Sequence, residues 1–138
     1  MGTPARRLTE RVALVVDDEE LVCRYTARIL MEAGLRVLEA RGGEEALALL
    51  EHLGTTAVGL VVSDVAMPHM NGVELARVIG QRWPAIPVLL TSGDGGPPSA
   101  YSGAFLGKPF TPEVLIASVK ELLGSLPLRT LNRQPGGG

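Results

Sequence analysis

The chain has 138 residues, 46% of them hydrophobic and 20% charged, with a formal net charge of −2. That is enough for one domain with a sizeable core and leaves little room for a second. The slight negative balance, with Lys and Arg scattered, excludes a general binder of nucleic acid or anionic membrane, which needs a clustered positive field. The single cysteine, Cys23, cannot form an internal disulfide, which fits a reducing, cytoplasmic setting. No apolar run approaches the length of a membrane span.

Residues 1–11 show no periodicity and read as a flexible leader, with residues 12–123 as the folded domain. Val12–Val16 is an apolar strand that runs into Asp17 and Asp18. A helix follows over Glu19–Ala33, with Val22, Tyr25, Thr26 and Ile29 on one face and Gly34 as its stop. Cys23 is expected to fill space on that helix. Leu35–Ala40 is a strand candidate, and Glu44–Leu53 a helix with Ala46, Leu47, Leu50 and Leu53 on one side. Val58–Ser63 is the next strand and ends at Asp64. Gly72–Trp83 reads as a helix closed before Pro84, with Trp83 covering its end.

The apolar stretch Ile86–Leu90 ends at Thr91-Ser92, and Ala104–Gly107 ends at Lys108-Pro109. Thr111-Pro112-Glu113 opens the last helix with a capping hydroxyl, a proline at the first helical position and early negative charge. Residues 124–138 carry no core pattern and are expected to be a disordered tail. Alternating strands and helices with near-continuous apolar strands predict an α/β, flavodoxin-like, doubly wound five-stranded parallel sheet in the order 2-1-3-4-5. In that order the ends of strands 1 and 3 are neighbours, so Asp17, Asp18 and Asp64 share one crevice.

Taken singly, these residues have ordinary explanations. Asp17 and Asp18 suit a helix start, and a polar residue after a strand is common. Lys108 could be a solvated charge, and Ser92 an incidental hydroxyl. Together, three clustered carboxylates repel unless a cation sits among them, and Mg2+ favours a few carboxylates with phosphate and water. Asp64 would then accept a phosphoryl group as a mixed anhydride, with Lys108 and Ser92 reaching the transferred oxygens.

The segments Val15-Val-Asp-Asp-Glu19, Ser63-Asp-Val-Ala-Met-Pro-His-Met-Asn-Gly72, Pro87-Val-Leu-Leu-Thr-Ser-Gly93 and Phe105-Leu-Gly-Lys-Pro-Phe110 together resemble the receiver domains of two-component response regulators. The likeness covers about Arg11 to Leu123 and is closest to hybrid-histidine-kinase or single-domain receivers. It implies that Asp64 is the phosphoacceptor and Asp18 a direct Mg2+ ligand, with Mn2+ as a substitute. Asp17 is implied to act through a metal-bound water, and the backbone carbonyl of Ala66 to complete the protein ligands. Lys108 is implied to pair with the phosphoryl group, while Ser92 and Phe105 form the switch.

The resemblance also implies a histidine kinase or phosphotransfer domain as donor, an unknown downstream protein target and no output domain in this chain. The protein would catalyse only its own phosphorylation and dephosphorylation, with Ala66 and Asp94 flanking the path of attacking water. Two other functions are open to the residues. A Mg2+-dependent phosphatase with an aspartyl-phosphate intermediate usually has an acid two residues after its nucleophile, where this chain has Ala66. A pseudo-receiver scaffold would not need the intact acidic set.

One departure stands out. Between Ser92 and the fifth strand only residues 93–103 remain, four of them Gly and two Pro. Helix 4 of the family pattern is therefore expected to be shortened or absent, with at most one turn around Pro98–Ser102. His52 is expected on an exposed helix side and His69 in a loop, neither as a phosphate acceptor.

Overall fold

The computed structural model describes residues 11–93, 96–99 and 101–124. The leader over residues 1–10, Asp94 and the tail from residue 125 onward lie outside the described residues.

Five parallel strands form one sheet in the order β2-β1-β3-β4-β5, as the alternating pattern predicts. They are β1 (Val12–Val16), β2 (Arg36–Ala40), β3 (Val58–Asp64), β4 (Val88–Ser92) and β5 (Ala104–Gly107). The helices are α1 (Glu20–Glu32), α2 (Gly43–Leu53), α3 (Gly72–Arg82) and α4 (Pro112–Leu123). Among the described residues no helix lies between β4 and β5. The connection makes one turn there, with the Tyr101 amide donating to the Pro98 carbonyl at 3.0 Å.

Because side chains alternate across a strand, each strand feeds two cores. Ala13, Val15, Leu60, Val62 and Leu89 pack under α1 and α4. Leu14, Val16 and Val61 pack under α2 and α3. The central strand β3 is buried at all seven positions, which accounts for its unbroken apolar run. Burying its aliphatic side chains contributes about 1.5–3 kcal/mol each before entropy is counted.

The helix ends follow local chemistry. Gly34 takes a positive φ of 103° after α1, a conformation that costs glycine little. Asn71 and Glu74 form a reciprocal capping box at the start of α3, with bonds of 2.8 and 3.0 Å. The Thr111 hydroxyl accepts from the Val114 amide at 3.1 Å, and Pro112 occupies the first turn of α4.

Two expectations need correction. On the predicted face of the first helix Thr26 and Ile29 are buried, but Tyr25 is 46% exposed, and Cys23, Ala27 and Leu30 join the core. The buried stripe is broader than predicted because α1 packs against both β1 and β2. The apolar stretch from Ile86 predicts a strand start there. Ile86 is buried in the core, but β4 begins at Val88, after Pro87. The ordinary explanation of Asp17 as a helix cap is not met, since Glu19 holds the N-cap position of α1 and Asp17 Oδ1 accepts from the Glu19 amide at 2.9 Å.

Candidate functional site

The strand alternation that builds the core under α1 and α4 also aims the charged residues. Asp17 continues the series Ala13 and Val15, Asp64 continues Leu60 and Val62, and Lys108 continues Ala104 and Leu106. All three emerge beyond the carboxyl ends of β1, β3 and β5, where ligands sit in open α/β sheets. Lys108 Nζ lies 2.9 Å from Asp64 Oδ1 and 3.2 Å from Asp17 Oδ2. Asp17 and Asp64 are buried, whereas Asp18 is exposed at the mouth. One carboxylate oxygen from each of Asp17, Asp18 and Asp64 falls within 4.8 Å of the others. A set of hard oxygen donors at that spacing suits a small divalent cation.

The electrostatics show how crowded the site is. Burial lifts the Asp64 carboxyl above its ordinary value, and Asp17 and Asp18 add to the rise, while Lys108 opposes it. Burial works to lower the Lys108 pKa, but the contacts with Asp64 and Asp17 outweigh it and leave the ammonium above its ordinary value. Lys108 is therefore held charged as the counter-ion of two carboxylates.

The loop from Asp64 to Gly72 is closed at its base. The Gly72 amide donates to the Val65 carbonyl at 2.8 Å, and the Val65 amide to the Thr91 carbonyl at 2.9 Å. A side chain at Gly72 would fall on the Asp64 carbonyl oxygen. Met67 is buried in the core, while Ala66 and His69 stay exposed.

Ser92 is buried at the end of β4, and its carbonyl accepts from the Lys108 amide at 2.8 Å. Phe105 pairs with Leu90 in the β4–β5 ladder, is half-buried and borders a cavity of about 320 Å³ with Leu89 and Leu122. Asp17, Asp18, Asp64 and Lys108 thus come together, Ser92 borders them through its backbone, and Phe105 sits further along β5. His52 and His69 are exposed, as expected. Cys23 is fully buried, and burial chiefly pushes its thiol up to about 12, which leaves it a core residue.

Sequence reasoning missed one neighbour of this site. The Tyr25 hydroxyl donates to the Phe110 carbonyl at 3.2 Å, two residues from Lys108. The partners are 85 residues apart in the chain, and no local pattern announces such a bond.

The fold and the site together define a phosphoacceptor module of two-component signalling. Residues 13–120 match the response regulator receiver domain family, and the chain belongs to it. It is 39% identical over 116 residues to the sensor kinase CckA of Brucella abortus (strain 2308), covering 80% of this chain and 12% of that protein. It is 33% identical over 121 residues to the chemotaxis protein CheY1 of Helicobacter pylori (strain ATCC 700392 / 26695), covering 81% of this chain and 96% of that one. A crystal structure of the receiver domain from the hybrid histidine kinase CckA superposes with a TM-score of 0.68 at 37% identity, covering 80% of this chain and 97% of that one.

The chain spans less than two thirds of the length of the first curated relatives it matches. Its role is that of a receiver, a phosphoacceptor in signal transduction. No helix among the described residues is long and apolar enough to cross a membrane.

Proposed function

We propose that Asp64 accepts the phosphoryl group of a donor phosphohistidine, in a reaction that needs Mg2+ or Mn2+. The observation that carries this reading is the clustering of Asp17, Asp18 and Asp64 at one end of the sheet, with the Lys108 ammonium paired to Asp17 and Asp64. Asp18 is assigned as a direct metal ligand, Asp17 as a ligand through water, and the Ala66 carbonyl as the remaining protein donor. When bound, the divalent ion supplies charge neutralisation for the phosphoryl oxygens.

The chain's own residues do the rest. An Asp64 carboxylate oxygen bonds to phosphorus as the phosphorus–nitrogen bond of the donor breaks, and the donor imidazole, protonated on its other ring nitrogen, keeps that proton and departs as a neutral ring. Lys108 exchanges its contact with Asp64 for one with a phosphoryl oxygen, and the Ser92 hydroxyl donates to another. The added charge draws Ser92 inward, and Phe105 follows as the second half of the switch. Water later attacks phosphorus, the bond to Asp64 oxygen breaks, and inorganic phosphate leaves as Asp64 returns to a carboxylate. The protein thus turns over only its own acyl phosphate.

A histidine kinase or phosphotransfer domain is the proposed donor, and an apolar surface beside the acidic crevice supports one. Leu21 is 82% exposed and Tyr25 46%, one turn apart on α1. Leu21, Val22, Tyr25, Pro109 and Phe110 line a cleft of about 570 Å³ that reaches Lys108. Exposed apolar side chains gathered in one patch mark an interaction surface.

Intact mass measured after incubation with Mg2+ and acetyl phosphate tests the proposal. We expect one phosphoryl adduct, lost in Asp64→Asn and lost when metal is chelated. Persistence of the adduct in Asp64→Asn would overturn the assignment. Repeated turnover of unrelated phosphate monoesters would point to a phosphatase instead.

A further inference from the structure

Lys108 can serve Asp64 only if the short segment that carries it is held in place, and the structure pins that segment on both sides. On the strand side the Lys108 amide donates to the Ser92 carbonyl at 2.8 Å. On the helix side the Tyr25 hydroxyl reaches from α1 to the Phe110 carbonyl at 3.2 Å. That bond is long for a hydroxyl donor, and the Tyr25 ring adds a second hold. The two aromatic centroids are 6.1 Å apart with planes inclined at 30°. Phe110 itself is buried in the core with Leu115 of α4, so its carbonyl is a fixed acceptor.

We infer that Tyr25 is a positioning residue for Lys108, fixing the 108–110 segment so that the ammonium stays on the Asp64 side of the crevice. Tyr25 touches neither carboxylate nor phosphoryl oxygen in this reading. It acts through the Phe110 backbone, and it ties the lysine segment to the helix that follows Asp17 and Asp18. Its hydroxyl provides the directional part of the hold and its ring the packing part. Removal of the hydroxyl alone therefore lets the Lys108 segment shift without leaving a cavity.

This inference rests on the proposed role of Asp64, and the test separates the two. Tyr25→Phe keeps the ring and deletes the hydroxyl. Acetyl phosphate and Mg2+ serve as donor and metal, because a small donor needs no protein docking surface. We expect the rate of adduct formation to fall about three- to tenfold in Tyr25→Phe. The thermal midpoint should shift by no more than about 2 °C. In metal-free protein, the 15N–1H resonance of the Lys108 ammonium should broaden relative to wild type as its contacts loosen.

In a Lys108→Ala background the same Tyr25→Phe change should cost nothing further, since the group it positions is gone. An equal rate loss in both backgrounds, or an unchanged rate with an unchanged Lys108 resonance, would overturn the inference. A fall in the midpoint with no change in rate would reduce Tyr25 to a packing residue and overturn it as well. If wild-type protein forms no adduct, the role of Asp64 fails instead. The metal-free Lys108 resonance then still decides whether Tyr25 holds the lysine.

Discussion

At the level of single residues, the acid crevice trades stability for chemistry. Asp64 has an ordinary carboxyl value of 3.8 and a raised one in the fold, chiefly because it is buried. The folded state therefore binds more protons than the unfolded chain as pH rises from 3.8 through the folded value. Stability is lost across that window, and the loss persists at neutral pH. Lys108 acts in the opposite sense. Its raised value stabilises the fold below the ordinary 10.5, and that contribution disappears as pH climbs through the folded value. Asp64→Asn removes the buried charge and leaves Lys108 paired with Asp17. Metal-free Asp64→Asn should therefore melt above wild type at pH 7, with the gap narrowing as pH falls toward 3.8. Saturating Mg2+ should also narrow it, because ion binding stabilises only the wild-type site. Thermal melts across pH check this, and an equal or lower midpoint at pH 7 would mean that the Lys108–Asp64 pair outweighs the burial.

Secondary-structure elements carry the geometry of the crevice, and the start of α3 is its tightest point. An added Cβ at Gly72 would overlap the Asp64 carbonyl oxygen and come within 2.9 Å of the Val65 Cα, both of them backbone atoms that cannot rotate away. Gly72→Ala should cost about 2–3 kcal/mol in denaturant unfolding and displace the loop that carries Ala66. A loss under 0.5 kcal/mol would show that the loop yields freely. This close approach, like the bond from Tyr25 to Phe110, joins residues that no local pattern pairs. What could be read in advance was periodic or positional. Apolar runs ending in Asp17, Asp64, Ser92 and Lys108 disclosed the strands, and the strand order then placed those residues at one edge. The start of α4 was legible because Thr111 and Pro112 act within their own turn. The full buried face of α1 was not, since Tyr25 and Cys23 both fit a helical stripe and only contact with two strands decides which is buried.

For the molecule as a whole, β5 must be held beside β4 with no helix between them among the described residues. Leu90 of β4 is fully buried and Phe105, its partner on β5, is half-buried. Tyr101 holds the described part of the 93–103 connection. Its hydroxyl donates to the Ala104 carbonyl at 2.9 Å, its ring lies against Gly103, and burial raises its pKa. The residue thereby hooks the connection onto the first residue of β5. Loss of the hydroxyl in Tyr101→Phe should cost about 1 kcal/mol of unfolding free energy. Loss of the ring in Tyr101→Ala should cost about 2–4 kcal/mol and speed hydrogen exchange at the β4 and β5 amides. Phosphorylation by acetyl phosphate should stay within about twofold in both variants, because Asp17, Asp64 and Lys108 are set by β1, β3 and the segment pinned to Ser92 and Tyr25. An unfolding cost under 0.5 kcal/mol for Tyr101→Ala would show that something other than Tyr101 closes the sheet. A large loss of phosphorylation without a loss of stability would show that the hook reaches the acid crevice. The expected result would separate a shortened face that keeps the sheet intact from a crevice that carries out the chemistry.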